Sequence, residues 1–318
     1  MQSSPPRAFS LFHRSRPRQR AQHYRRSEAI AGLLMASPWM IGFLVFVAGP
    51  MIYSLYLSMT RWDLFTPPQW IGLDNFTTLL TDDPTFFQAL KITTIYAFIG
   101  VPLQVGLGLV LATLLNQKIR FLSLFRSIYY LPSVIGGISV AIMFRWIFGT
   151  QFGLINGMLS GLGIQGPSWL GDPSWVMVSF VLMSLWGSGA SMLIYLGALQ
   201  SIPTELYEAA DVDGAGTLAK FFRITIPMMT PVIFFNMVMG IIHALQEFVL
   251  PFVMTSGGPA DASLFLVLYL YRNAFQFFQM GYASAIAWLL FIYILLLTLL
   301  VVRSSSAWVY YEGSVRGR

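Results

Sequence analysis

The chain has 318 residues, 56% of them hydrophobic and only 10% charged, far below the roughly 25% charge of an average soluble domain. A formal net charge of +6 would suit a polyanion-binding protein, but the basic residues gather at the ends of apolar runs, so nucleic acid is not an expected partner. Cysteine is absent, which excludes a disulfide framework, a thiolate metal site and a cysteine nucleophile.

In chain order, residues 1–28 come first, with Arg7, Arg14, Arg16, Arg18, Arg20, Arg25 and Arg26 among proline, serine and glutamine. They read as a disordered basic tail. The apolar stretch that follows is too long for the core of a signal peptide and shows no small-residue cleavage pattern, so the first span is expected to stay attached. Four intervals carry no charge at all, 29–60, 92–117, 173–204 and 273–302. Each exceeds the ~20 residues that cross a bilayer core as helix. Six spans are predicted over about 30–57, 92–115, 128–148, 175–199, 228–254 and 282–302. Runs this long satisfy their backbone as helices, not as the ~10-residue alternating strands of a barrel. The expected fold is an all-α integral membrane protein with a six-helix domain over 29–303 and a C-terminal tail over 304–318.

Orientation follows from the basic residues of the short loops. With the N-terminus inside, the inner face carries the arginine tail, Lys118, Arg120, Arg126, Lys220, Arg223, Arg303, Arg316 and Arg318, and both termini are cytoplasmic. The outer face keeps Arg61, Lys91, Arg145 and Arg272 with most loop acids, Asp63, Asp74, Asp82, Asp83, Asp172 and Asp261. Pro38, Pro50, Pro102, Pro132, Gly136, Gly137 and Pro251 interrupt the spans, which points to kinked helices lining a cavity.

The loop at 200–227 is the most informative stretch. Pro203 suits a helix first turn, and Glu205 to Ala210 continue it. Gly214 and Gly216 stop that helix, a second short helix fits 217–226, and Pro227 marks entry to the next span. Leu206, Ala209, Ala210 and Asp213 share one narrow face, and Glu205, Glu208, Asp211 and Asp213 gather acids where topology favours bases. A partner arginine would suit those acids; an amphipathic loop resting on the membrane surface fits the same residues.

Glu208, Ala209, Ala210, Gly214, Ile224, Ile226 and Pro227 stand at the spacing of a known motif, with isoleucine in its usual leucine place. In this the segment resembles the coupling loop of permease subunits of bacterial ATP-binding-cassette importers, in particular the carbohydrate branch that includes maltose-type permeases. Arg61, Trp62 and Asp63 with GLDNF at 72–76, YYLPSV at 129–134, GALQSIP at 197–203, TSGGP at 255–259 and WVYYEG at 308–313 extend the likeness over nearly the whole chain after the tail. The resemblance implies a type I importer permease in the bacterial inner membrane. Its implied partners are a second homologous permease in a heterodimer, two ATPase subunits carrying ATP and magnesium, an extracellular solute-binding protein and a sugar. It also implies that Glu205, Glu208, Ala209, Ala210, Asp213 and Gly214 meet the ATPase.

No phosphate-cradling G-x-x-x-x-G-K-[ST] loop exists, since Lys91, Lys118 and Lys220 follow Leu90, Gln117 and Ala219. The chain is therefore expected to be non-catalytic, with no cofactor of its own. His13 and His23 lie in the tail and His243 is alone in a span, so no metal site is expected.

Asn236, His243, Gln246 and Glu247 are the polar groups of the fifth predicted span. His243 and Glu247, four apart, would share a helical face with Gly240 a turn earlier. They would either line a wet cavity or bond each other and pack against another permease. By resemblance to maltose-type permeases, the sugar-holding positions are Gly240, His243, Ala244 and Glu247, with Gly187 and Ala190 and the adjacent Ser188 and Ser191. Gln246 and Glu247 replace a pair of asparagines in that pattern, so the sugar is expected to differ. Trp186 beside Gly187 is a candidate for stacking on a sugar ring. An ion-coupled secondary carrier, a glycerol-phosphate-type importer and an integral membrane enzyme are the competing readings; the first has only Glu247 as an obvious intramembrane acid, and the last lacks clustered acids, bases or ligands.

Overall fold

The structure is a computed structural model that describes residues 18–117 and 120–310. The first residues of the basic tail, Lys118, and Arg316 and Arg318 at the other end lie outside the described residues.

The chain divides into two units, 1–56 and 57–318. In the first, helix α1 (Arg18–Phe43) continues through a π-helical turn (Leu44–Ala48) into α2 (Gly49–Ser58). The turn is wide because Pro50 has no N–H to give; Gly49 donates instead to the carbonyl of Leu44, five residues back. Residues 18–28, expected to be disordered, are helical: arginine, glutamine and alanine favour helix, and no proline falls between Pro17 and Pro38. No side chain from 31 to 56 is buried within this unit, and the stretch is long and apolar enough to cross a membrane.

The second unit opens with an antiparallel hairpin, β1 (Thr60–Arg61) paired with β2 (Gln69–Trp70), and helix α3 (Asp74–Thr81). Buried Asn75 holds them together, donating to the carbonyls of Ser58 at 2.8 Å and Thr60 at 2.9 Å. Asp63 accepts the Thr66 N–H and hydroxyl, bonds that hold its carboxyl below the usual range.

Helix α4 (Pro84–Leu115) is the axis of the bundle and begins before the predicted span, because Pro84 suits a first turn and Asp83 caps it by accepting the Phe86 N–H. The same Asp83 carboxylate accepts from the hydroxyls of Tyr269 and Tyr282, each at 2.6 Å. Burial and the bond to Asp83 push the Tyr269 phenol up to about 12. Asp83→Ala is expected to cost about 2–4 kcal/mol, one cap and two charge-assisted bonds, read as a lower unfolding temperature in detergent that Asp83→Asn partly restores.

The third predicted span is not one rod. Helix α5 (Leu122–Tyr130) with a 3-10 turn (Leu131–Val134) and helix α6 (Gly137–Ile147) meet at 99°. Pro132 favours the tight turn, and Ile135 and Gly136 are extended, so the break lies at the residues that weaken a helix most. After α7 (Leu154–Gly161), the fourth is α8 (Pro173–Trp186) and α9 (Gly189–Gln200), bent by 46° at Gly187 and Ser188.

The loop contains α10 (Thr204–Val212), a turn with Gly214 at φ +73°, and α11 (Thr217–Lys220). Pro227 does not divide α11 from the membrane: a π-helical turn (Phe221–Thr225) leads into α12 (Ile226–Leu245), making 217–245 one helical path. The fifth predicted span instead ends at Leu245, and α13 (Val249–Met254) follows as a separate piece. After α14 (Leu266–Tyr271), α15 (Met280–Trp308) continues past the predicted boundary into the C-terminal tail.

Among the described residues, four helical stretches are long and apolar enough to cross a membrane, or six if each bent pair is one span. Around α4 pack α8, α9 and α12, drawn close by small residues: a Cβ on Gly108 would stand 2.5 Å from Ser191 Oγ, and one on Gly240 2.7 Å from Val101 Cγ1.

Candidate functional site

Three interruptions of helix meet at one place. The α5–α6 break, the α8–α9 bend and the end of α12 all line a cavity of about 400 Å³, whose remaining wall is α4. Irregular backbone at membrane depth persists only where protein or water re-satisfies it, so these three breaks and the cavity are one feature. Ser133 Oγ lies 3.5 Å from the Gly187 carbonyl, and a Cβ on Gly189 would stand 2.0 Å from the Tyr129 carbonyl, which ties the first break to the second.

Gly187, Gly240, His243, Ala244 and Glu247 line this cavity. Ser188 does not: it is buried and its hydroxyl donates to the Leu185 carbonyl. Ser191 donates to the Ser188 carbonyl and packs on Gly108 of α4, while Ala190 is exposed away from the cavity. The serines therefore serve helix packing at the bend. Trp186 does line the cavity, with its ring edge-on to Phe144.

His243 and Glu247 do not share a helical face, because α12 ends at Leu245. No hydrogen bond or ion pair joins them among the described residues. Glu247 instead accepts the Leu250 N–H at 3.0 Å, holding the first turn of α13. Both side chains still reach the same cavity wall.

Sequence reasoning missed the opposite wall: Tyr96 and Gln104 of α4, Ser133, and Ser184 of α8. Gln104 was detectable as a lone amide in an uncharged span, and its Nε2 stands 3.6 Å from where a Gly187 Cβ would be. The wall thus offers amide, hydroxyl, imidazole and carboxylate groups beside an aromatic edge, a set that hydrogen-bonds hydroxyl groups and stacks on apolar ring faces. No group of three metal-ligating side chains occurs among the described residues.

The second candidate site is the loop. Glu205, Leu206, Glu208, Ala209, Asp213 and Gly214 are all exposed and Ala210 is half-buried, whereas Tyr207 turns inward to bond Thr225 at 2.9 Å. Lys220 and Asp211 form an ion pair across the turn, which removes one of the four acids from the free set. Val212 at 88% and Leu218 at 74% exposure place apolar side chains beside the remaining acids, a combination that fits a protein surface.

Residues 104–308, which contain the loop and all of the cavity lining except Tyr96, Gly100 and Val101, match the family model described as binding-protein-dependent transport system inner membrane component. The chain belongs to that family. It is 46% identical to the probable ABC transporter permease protein YesP of Bacillus subtilis, over 91% of this chain and 94% of the relative. It is 35% identical to the arabinooligosaccharides transport system permease protein AraP of the same organism, over 88% and 90%. A solved bacterial ABC transporter involved in import of the acidic polysaccharide alginate contains a chain that superposes with a TM-score of 0.78 at 26% identity, covering 91% of this chain and 99% of that one. This family member is a multi-pass membrane permease with the type I importer fold, and the likeness to carbohydrate-importer permeases read from the loop motif extends over 88% of the chain in the arabinooligosaccharide permease.

Proposed function

We propose that this chain is one permease half of an ATP-driven importer that moves an oligosaccharide, a disaccharide or a glycosylated polyol across the bacterial inner membrane. Each bent helix pair counts as one span, giving six, with both termini cytoplasmic. Solute arrives on an extracellular binding protein, passes the cavity where the breaks meet, and is released as two partner ATPases bind and hydrolyse ATP with magnesium. A second, homologous permease closes the other side of the path.

The observation that carries this reading is the loop: α10 holds Glu205, Glu208 and Ala209 out in solvent, with Asp213 and Gly214 in the turn behind them. Among the described residues, none bonds to the side chains of that face. A surface of acids and small residues on a firmly tethered helix suits insertion into a cleft of a moving subunit. An ion-coupled carrier would leave the loop without a role and would depend on Glu247, whose carboxylate is already engaged with the Leu250 N–H.

Reconstitution decides between them. In vesicles with the ATPases facing the lumen, the chain together with its partner permease, ATPases and externally added binding protein should accumulate saccharide only when ATP is enclosed in the lumen. Accumulation by the chain alone under an ion gradient, without nucleotide, overturns the importer reading.

A further inference from the structure

The relatives divide by the charge of what they carry: one is named for arabinooligosaccharides, which are neutral, and the alginate importer takes an acidic polysaccharide. Family membership thus leaves solute charge open. The cavity bears on it. Among the described residues, its lining contains one carboxylate, Glu247, one imidazole, His243, and no arginine or lysine. The remaining polar groups are the neutral Tyr96, Gln104, Ser133 and Ser184. Three arginines of the unit are engaged elsewhere: Arg145 reaches the Val253 carbonyl, Arg272 binds Asp261 and the Ser256 carbonyl, and Arg126 binds the Leu115 carbonyl.

Building on the sugar-importer reading, we propose that Glu247 is a charge filter: it admits neutral or amino-bearing glycosides and rejects uronates, sulfonates and phosphates. Carboxylate-bearing solutes are usually recognised by the planar fork of arginine, which this wall lacks. A carboxylate facing the path inside a low-dielectric bundle repels an anion at close range far more than it would in water. Specificity often rests on such a repulsive element as much as on attractive contacts. The Leu250 N–H donates to one oxygen of Glu247, which holds the carboxylate against the wall of the path. Gln104 and Ser184, across the cavity, supply hydrogen bonds to hydroxyl groups of either class and do not discriminate by charge.

The test uses the complete transporter in vesicles with saturating binding protein. ATP-dependent uptake of galactotriose and of trigalacturonate is compared, as examples from a panel of neutral saccharides and their uronic-acid counterparts. The binding protein has its own preference, but it is common to every permease variant, so it cancels in the change of the anionic-to-neutral ratio. Glu247→Gln, which keeps an oxygen for the Leu250 N–H, is expected to raise that ratio at least tenfold, whatever the absolute rate. Glu247→Asp should leave it near the original. Gln104→Arg, adding a cation to the facing wall, should raise it independently and covers the case in which Glu247→Gln fails to assemble. A ratio that moves less than twofold in Glu247→Gln and Gln104→Arg, with neutral uptake still measurable, overturns the filter and leaves the importer reading standing. Absence of nucleotide-dependent uptake of every neutral saccharide by the unaltered transporter overturns the importer reading itself, and the filter with it.

Discussion

Glu208→Arg should cut ATP-dependent uptake by at least tenfold while moving the thermal unfolding of the chain by less than about 0.5 kcal/mol. The two halves of that expectation come from the same fact. Glu208 is exposed on α10 and bonds to no other side chain or backbone group among the described residues, and surface substitutions away from caps, cores and networks usually change stability very little. A large functional loss with an intact fold must then come from a partner. Ala209→Arg, on the neighbouring exposed position, should behave alike by forcing bulk into a face that small side chains keep narrow. Tyr207→Phe gives the contrast: it loses the bond to Thr225 that anchors the helix, so stability should fall by about 1 kcal/mol along with coupling. Paired measurements of uptake and unfolding in the same preparations check this. Unimpaired uptake by Glu208→Arg and Ala209→Arg would leave α10 as a surface helix with no motor to meet.

How the loop and the cavity could be read from sequence differs for physical reasons. The loop is local: Pro203 starts a helix, Gly214 takes a left-handed φ that other residues resist, and motif spacing carries the rest. The uncharged intervals likewise mark α4, α15 and the α8–α9 pair, because exclusion of charge from lipid acts on each residue separately. Breaks in helix depend on what surrounds them. Pro132 and Gly136 were visible as weak points, but the 99° turn between α5 and α6 is set by packing on α9, where Gly189 admits the Tyr129 carbonyl. Pro251 was an equally visible weak point in the fifth span and lies within α13, whereas the break itself falls at 246–248, which contains neither glycine nor proline. Helical periodicity then assigned His243 and Glu247 to one face across a position where no helix continues. Gln104 was overlooked because one amide in a long apolar helix resembles a packing residue until the facing wall is known.

The other large effect is expected at the crossing of the two bends. Gly189→Ala adds a single methyl group, yet its Cβ would stand 2.0 Å from the Tyr129 carbonyl oxygen, 2.9 Å from its carbon and 3.0 Å from the Tyr130 Cα. All three are backbone atoms, so no side chain can swing aside, and either α9 or the turn after α5 has to move. Overpacking of this kind costs about 1–3 kcal/mol and more where the neighbour is rigid, so a fall of about 3 kcal/mol or greater is expected. Gly197→Ala, two turns along the same α9, meets nothing within 4 Å and should instead stabilise by about 0.5–1 kcal/mol, as alanine does in an open helix position. Opposite signs for one substitution in one helix separate steric contact from helix propensity. Because Tyr129 leads directly into the break that walls the cavity, surviving Gly189→Ala transporter should also show a raised KM for saccharide, while Gly197→Ala should not. Equal unfolding temperatures for the two variants would mean that α9 and the turn after α5 are not in contact in the membrane, and the cavity would lose the wall those elements build together.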